Sequence, residues 1–178
     1  FGITQELLKK YNVYSCKNVF LNGSYLTSSS ETDFIFAYYR GSIDGIDYFR
    51  IYFPMRKHFR FLSNWTAKMI QGAKQLPKTG DFLVITKSMK DVMTLASFGI
   101  TAIAPNSETL FLSEEQYEKV KKRFKRIILL YDNDLAGISN MNKIRKSFKD
   151  ISCVWIPRKY AKDISDFRKK YGEENTRK

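Results

Sequence analysis

The run "IILLYDNDLAGISN", from Ile127 to Asn140, decides how this chain is read. It opens on an apolar stretch, Ile127 to Tyr131, of the length and composition of a buried strand. Asp132 and Asp134 then flank Asn133, and Gly137 follows within a polar stretch. One reading is a strand and a turn, with Asp132 in the turn and Asp134 capping the helix that follows. The other is a metal site. Residues two apart at a strand end project to the same side, so both carboxylates can face one hard cation. Mg²⁺ takes one or two carboxylates and completes its shell with water and substrate phosphate. A D-x-D pattern alone does not choose between these readings.

Outward from this run the second half alternates. "FLVIT" (82–86), "TAIAP" (101–105), "RIILLY" (126–131) and "SCVWIP" (152–157) read as strands. Between and after them, "SMKDVMTLASFG" (88–99), "SEEQYEKVKKRF" (113–124), "LAGISNMNKIRKSF" (135–148) and a segment from about Asp163 to Tyr171 read as helices. Such alternation predicts an α/β fold of right-handed βαβ units, with a mostly parallel sheet of about four strands flanked by helices. Ligands of open α/β sheets bind beyond the carboxyl ends of the strands. The stretches there are Thr86 to Asp91, Pro105 to Glu108, Asp132 to Gly137 and Pro157 to Asp166, and three of them contain aspartates. Asp91 also closes a capping-box pattern with Ser88, and Asp163 and Asp166 suit a first helical turn. Capping is the expected role of Asp166, while for Asp91 and Asp163 capping and a site role are compatible.

The first half is written differently. "GITQELLKKY" (2–11) predicts a short helix capped by Thr4. "FIFAYYR" (34–40) and "DYFRIYF" (47–53), joined by "GSIDG" (41–45), predict an antiparallel hairpin. "TSSSETD" (27–33) reads as a loop and "QLPKTGD" (75–81) as a connector. The expected organisation is a small α+β basic lobe over residues 1–80 and an α/β domain over 81–178.

Composition narrows the function. Of 178 residues 43% are hydrophobic, which argues against disorder. No apolar run approaches the about 20 residues that span a bilayer. The net charge is +13, and both halves are basic, a field that draws polyanions. Cys16, Cys153 and His58 cannot assemble a zinc cluster, and the lone histidine, in "MRKHFRF", argues against serine–histidine catalysis. The cysteines read as reduced residues of a cytoplasm-like compartment. The chain opens on Phe1 without a secretory signal, as expected of a piece of a longer protein.

Taken together, the second half resembles a Toprim domain, the catalytic fold of bacterial-type primases, topoisomerases and some nucleases. "VITKSMKDVMTLASFGI" resembles its strand–acid–helix element, "TAIAPNSET" its second strand and loop, and "ILLYDNDLAG" its D-x-D-x-A-G element. "AKDISDFRKKYG" is similar to the primase-type ending, and "GITQELLKKY", "FRIYFP" and "RFLSN" resemble the basic lobe that precedes Toprim in bacterial and phage primases. The family's first glutamate falls on Lys87, the glycine after it on Ser88, and Ser165 stands where a second late carboxylate often lies. An ammonium at Lys87 would compete with a divalent cation or hold phosphate instead.

The resemblance implies a DNA primase core, phage-like, that joins ribonucleotides on single-stranded DNA with Mg²⁺ or Mn²⁺. Asp132, Asp134, Asp91 and Lys87 are its implied catalytic residues, and Asp132, Asp134, Asp91 and Asp163 its implied metal ligands. Arg60, Lys57, Lys68, Lys87 and Ser88 are implied to contact template or nucleotide. Template, nucleoside triphosphates and a replicative helicase are the implied partners, in the cytoplasm and away from membranes. With Lys87 filling the acid pocket, a non-catalytic Toprim module that binds nucleic acid or nucleotide is the alternative, and a Toprim nuclease is the third. The run Lys121, Lys122, Arg123, Lys125, Arg126 reads as a solvated helix face.

Overall fold

The computed structural model describes residues 1–107 and 111–178, so Glu108, in the second of the post-strand stretches, lies outside the described residues. The chain divides into two compact units, one of Leu8–Thr66 and one of Phe1–Leu7 with Ala67–Lys178. Helix α1 (Gln5–Lys10) runs across the first boundary, and Thr4 caps it by accepting the Leu7 N–H at 3.3 Å.

In the unit of Leu8–Thr66, β1 (Val13–Ser15), β4 (Phe36–Ile43), β5 (Ile46–Tyr52) and β6 (Phe61–Ser63) form an antiparallel sheet in the order β1-β4-β5-β6. A separate hairpin pairs β2 (Asn18–Leu21) with β3 (Ser24–Ser28). The β4–β5 turn is Asp44–Gly45, both at positive φ (53° and 76°), the conformation a two-residue hairpin needs and asparagine, aspartate and glycine supply. Val19, Ile35 and Phe53 are buried as its core, with Ile51 and Leu62 packed against them. Aromatic side chains pair across the strands, Tyr39 stacking on Phe49 at 4.8 Å and Tyr52 on Phe61 at 4.9 Å between ring centroids.

The other unit is built on a parallel sheet of β7 (Gly80–Ile85), β8 (Ala102–Ile103), β9 (Phe124–Leu130) and β10 (Ser152–Val154), in the order β10-β9-β7-β8. Its helices are α2 (Met89–Ala96), α3 (Glu114–Lys121), α4 (Leu135–Ser147) and α5 (Ile164–Arg177). Leu83, Ile85, Ile103, Phe124, Ile127 and Leu129 from the strands bury against Leu112, Tyr117, Val120 and Met141. This burial explains why the strands read as continuous apolar runs. The expected mostly parallel four-stranded sheet flanked by helices, preceded by an antiparallel α+β region, is the architecture observed.

Two readings are corrected. The basic run is not one helix face: α3 ends at Lys121, and Lys125 and Arg126 already belong to β9. Phe124, read as the end of the helix, is 2% exposed and is drawn into the sheet by its burial. The cap of α5 is Asp163, whose carboxylate accepts the Asp166 N–H at 2.7 Å, so Asp166 is the third residue of the first turn and not the cap. No helix among the described residues is long and apolar enough to cross a membrane.

Candidate functional site

The order β10-β9-β7-β8 fixes where a site can form. The chain leaves β7 toward β8 on one side and returns to β9 on the other, so the strand order reverses between β7 and β9. A crevice opens at such a reversal, outside the carboxyl ends of the strands. Ile85 pairs with Leu129 at those ends, so the residues that follow, Thr86–Lys87 and Tyr131–Asp132, emerge side by side.

Lys87 and Asp132 meet there as an ion pair of 3.4 Å, with side chains 4% and 11% exposed. Burying two charges is costly unless each finds a partner, which makes the lysine and the aspartate mutually dependent. A second lysine completes the group. Lys162, in the segment after β10, places Nζ 3.1 Å from Asp132 and 3.0 Å from Asp134. The hydrogen bond to Asp134, with help from Asp132, raises its pKa well above the ordinary lysine range. The local formal charge of Asp132, Asp134, Lys87 and Lys162 is therefore zero.

Asp134 satisfies both readings of the D-x-D pattern. Its Oδ1 accepts the Gly137 N–H at 2.8 Å and caps α4, while Oδ2 faces Lys162. The Gly137 amide, followed by Lys162, lowers its pKa. Capping thus fixes the side chain and leaves one oxygen directed at a cation. Gly137 is required for this geometry, because a Cβ there would stand 2.1 Å from the Asp132 carbonyl oxygen. The backbone closes so tightly around the two aspartates that no larger residue fits.

Asp91 and Asp163 belong to a second group. Asp91 is 2% exposed. Its carboxylate accepts the Ser165 hydroxyl at 2.5 Å and the Ser88 hydroxyl at 2.6 Å. Burial, reinforced by the charge of Asp163, raises its pKa from 3.8 to about 6, against the pull of the two hydroxyls and Lys90. Ser88 also accepts the Asp91 N–H at 3.2 Å, so the capping pattern is made, although Asp91 reaches the serine hydroxyl rather than the backbone. Asp163 caps α5 and lies 3.4 Å from Lys90.

No cluster of three or more acidic, imidazole or thiol groups that could hold a metal forms among the described residues. The four carboxylates expected as metal ligands thus fall into two pairs. The pair Asp132 and Asp134 nevertheless fits a single hard cation, because the Lys162 ammonium already sits within 3.1 Å of both and marks a point where one positive charge meets two carboxylates. Mg²⁺ or Mn²⁺ needs no more protein ligands than that.

The other expected contacts belong to both units. Arg60 and Lys57 are exposed in the unit of Leu8–Thr66, and Arg60 donates to the Tyr52 hydroxyl at 2.6 Å while lying over that ring. Lys68 lies in the unit of the parallel sheet, where its carbonyl accepts from Gln116 at 2.9 Å. In the basic run, Lys121 pairs with Asp150 at 2.5 Å, Lys125 with Asp81 at 2.8 Å, and Arg123 donates to the carbonyls of Pro77 and Lys78.

Sequence reasoning missed Lys162 and Gln71. Lys162 precedes Asp163 in a stretch already marked as post-strand, so its position was a usable signal. Gln71, 3% exposed, receives the Met89 N–H at the start of α2 and donates to the Pro105 carbonyl at 2.7 Å, tying two post-strand segments together. Nothing in the composition around Gln71 announces that role.

Residues 84–168 match a family model described as Toprim-like. No curated protein matches the chain in sequence. Among solved structures it is similar to the primase fragment of the bacteriophage T7 primase-helicase, at 15% identity and TM-score 0.65 over 98% of this chain and 69% of that one. A DNA primase domain from Pseudomonas aeruginosa aligns at 16% identity and TM-score 0.70, covering 99% and 67%. The DnaG primase catalytic domain, solved bound to single-stranded DNA, aligns at 15% identity and TM-score 0.67, covering 98% and 68%.

Proposed function

We propose, from a Toprim-like segment set in the fold of bacterial-type primase catalytic cores, that this chain is a primase core that joins ribonucleotides on a single-stranded DNA template. The observation that carries the reading is the convergence of Asp132 and Asp134 on one cationic point at the strand-order reversal. A Mg²⁺ or Mn²⁺ held by these two carboxylates would neutralise phosphate charge as a Lewis acid.

The chain's own residues do the rest. Asp134 is fixed by its cap to Gly137, and Asp132 by Lys87, so both carboxylates are oriented before substrate arrives. Lys162, with a half-exposed side chain, can turn from the carboxylates to a polyphosphate tail. With a lysine at position 87, that position offers no carboxylate base, and the reaction rests on positioning and charge neutralisation. Asp91 and Ser88 anchor the first turn of α2 and keep Lys87 in place; Asp163 orients Lys90. Arg60, Lys57 and Lys68 are the proposed contacts to the backbone of the template, a role supported by the similar DnaG catalytic domain, which was solved bound to single-stranded DNA. The proposed setting is phage-type replication in the host cytoplasm, with a replicative helicase as partner.

One observation favours a second reading. The buried Lys87–Asp132 pair supplies internally the charge a metal would bring, which suits a module that binds nucleic acid or nucleotide without turnover. Template-dependent primer synthesis with Mg²⁺ or Mn²⁺ separates the two. Labelled primers that vanish in Asp132→Asn support the primase. Retained single-strand binding without product establishes the second reading, and metal-dependent cutting of the template establishes a nuclease instead.

A further inference from the structure

Two departures from the Toprim pattern act in the same direction. Lys87 stands at a carboxylate position, and Ser165 stands at another, where its hydroxyl donates to Asp91 at 2.5 Å. A second ammonium, Lys162, bridges Asp132 and Asp134. Lys90 lies between two further carboxylates, 3.4 Å from Asp163 and 3.8 Å from Asp166. Every carboxylate in the post-strand stretches among the described residues therefore has an ammonium or hydroxyl partner from this chain. The D-x-D group that would attract a bare divalent ion, with Asp132 and Asp134 against Lys87 and Lys162, is neutral before one arrives.

The lysines facing the D-x-D carboxylates are not equivalent. The Lys87 side chain is 4% exposed and fixed at the end of β7. The Lys162 side chain is 54% exposed and lies in the segment between β10 and α5, where rotation of its four-carbon stem moves the ammonium without moving backbone. Solvent reaches the Lys162 ammonium and screens its pairs, so exchanging it for another cation costs less than exchanging the buried Lys87. A bare divalent ion that displaces it leaves its charge beside Lys87. A polyphosphate removes that difficulty, because its oxygens receive the displaced ammonium and complete the cation's shell.

We propose that Lys162 is a resident counter-ion that keeps the D-x-D site closed to bare divalent cations and yields only to a cation carrying a polyphosphate. The site then selects the metal–triphosphate complex as a unit and does not preload metal. This rests on the reading of Asp132 and Asp134 as a cation site, and it concerns binding order, so it stands or falls independently of turnover.

Calorimetric titration of the full chain with Mn²⁺ alone, ATP alone and the Mn²⁺–ATP complex tests it, with Mn²⁺ electron paramagnetic resonance counting bound ion. The wild type is expected to take the complex at least about tenfold more tightly than either component. Lys162→Met is expected to tighten Mn²⁺ alone about three- to tenfold, the factor of one or two solvent-screened ion pairs, and to weaken the complex, so that the preference shrinks from both sides. Lys162→Arg, which keeps the charge, should retain it. Wild-type chain that binds Mn²⁺ as tightly alone as with ATP overturns the proposal, as does Lys162→Met with unchanged Mn²⁺ affinity and an unchanged melting point. If the preference is found but no primer is made, the counter-ion role survives and the primase reading fails. If primer is made without the preference, the reverse holds.

Discussion

Replacing Asp91 by Asn tests the buried hydroxyl–carboxyl group that anchors α2, and its size follows from the geometry. Burial at 2% exposure and the nearby charge of Asp163 raise the Asp91 pKa from 3.8 to about 6, even though Ser165 and Ser88 donate to it. For an acid the sign is then fixed. Below its unfolded value both states are protonated. Between 3.8 and about 6 the folded state holds a proton that the unfolded state has released, so stability falls as pH rises, and above about 6 the deficit stays constant. At about 1.4 kcal/mol for each pH unit, the loss is on the order of 3 kcal/mol. Asn cannot ionise, keeps an oxygen for the Ser165 hydroxyl and offers N–H to the Ser88 oxygen. Urea unfolding of both proteins from pH 4 to pH 7.5 should show Asp91→Asn gaining on the wild type as pH rises, with midpoints separating by on the order of 1 M at neutral pH. Parallel curves, or a gap that closes with rising pH, would refute the reasoning and return Asp91 to the ionised form a metal ligand requires.

Other outcomes follow from the same contacts. Gly137→Ala forces a methyl against the Asp132 carbonyl; melting should show a loss of about 1–3 kcal/mol or more, and calorimetry a weaker Mn²⁺–ATP complex as the two aspartates are pushed apart. Lys87→Glu breaks a buried pair and sets two carboxylates together, a cost of about 3–5 kcal/mol or a melting point lower by roughly 6–20 °C. Part of that loss should return on adding Mn²⁺, whereas a melt indifferent to Mn²⁺ would deny the cation site. Phe124→Ala empties a position 2% exposed in the sheet core and should lose about 3–5 kcal/mol by chemical unfolding, without a specific effect on metal affinity once folding is corrected for.

The parallel sheet was legible because the apolar segments of its central strands are buried or half-buried, so "FLVI" (82–85) and "IILLY" (127–131) run without polar interruption. The hairpin was legible through Asp44–Gly45, whose positive φ restricts the residues that can stand there. The boundary at Phe124 was not, since "KKRFKR" suits a helix face as well as a strand start, and only tertiary burial decides. In the site, Asp132 and Asp134 were found from local spacing. Their partner Lys162 stands in a post-strand stretch, which was a signal, but which carboxylates it meets depends on the pairing of β10 with β9. Lys87 was flagged as a substitution, but its burial against Asp132 depends on the pairing of Ile85 with Leu129.

Anomalous diffraction from crystals grown with Mn²⁺ and a non-hydrolysable nucleoside triphosphate reaches the account's foundation most directly. A manganese peak between the Asp132 and Asp134 carboxylates is expected, with the Lys162 ammonium moved onto phosphate and Lys87 still paired with Asp132. A peak elsewhere, or nucleotide bound with Lys162 still bridging the two aspartates and no ion between them, would contradict it.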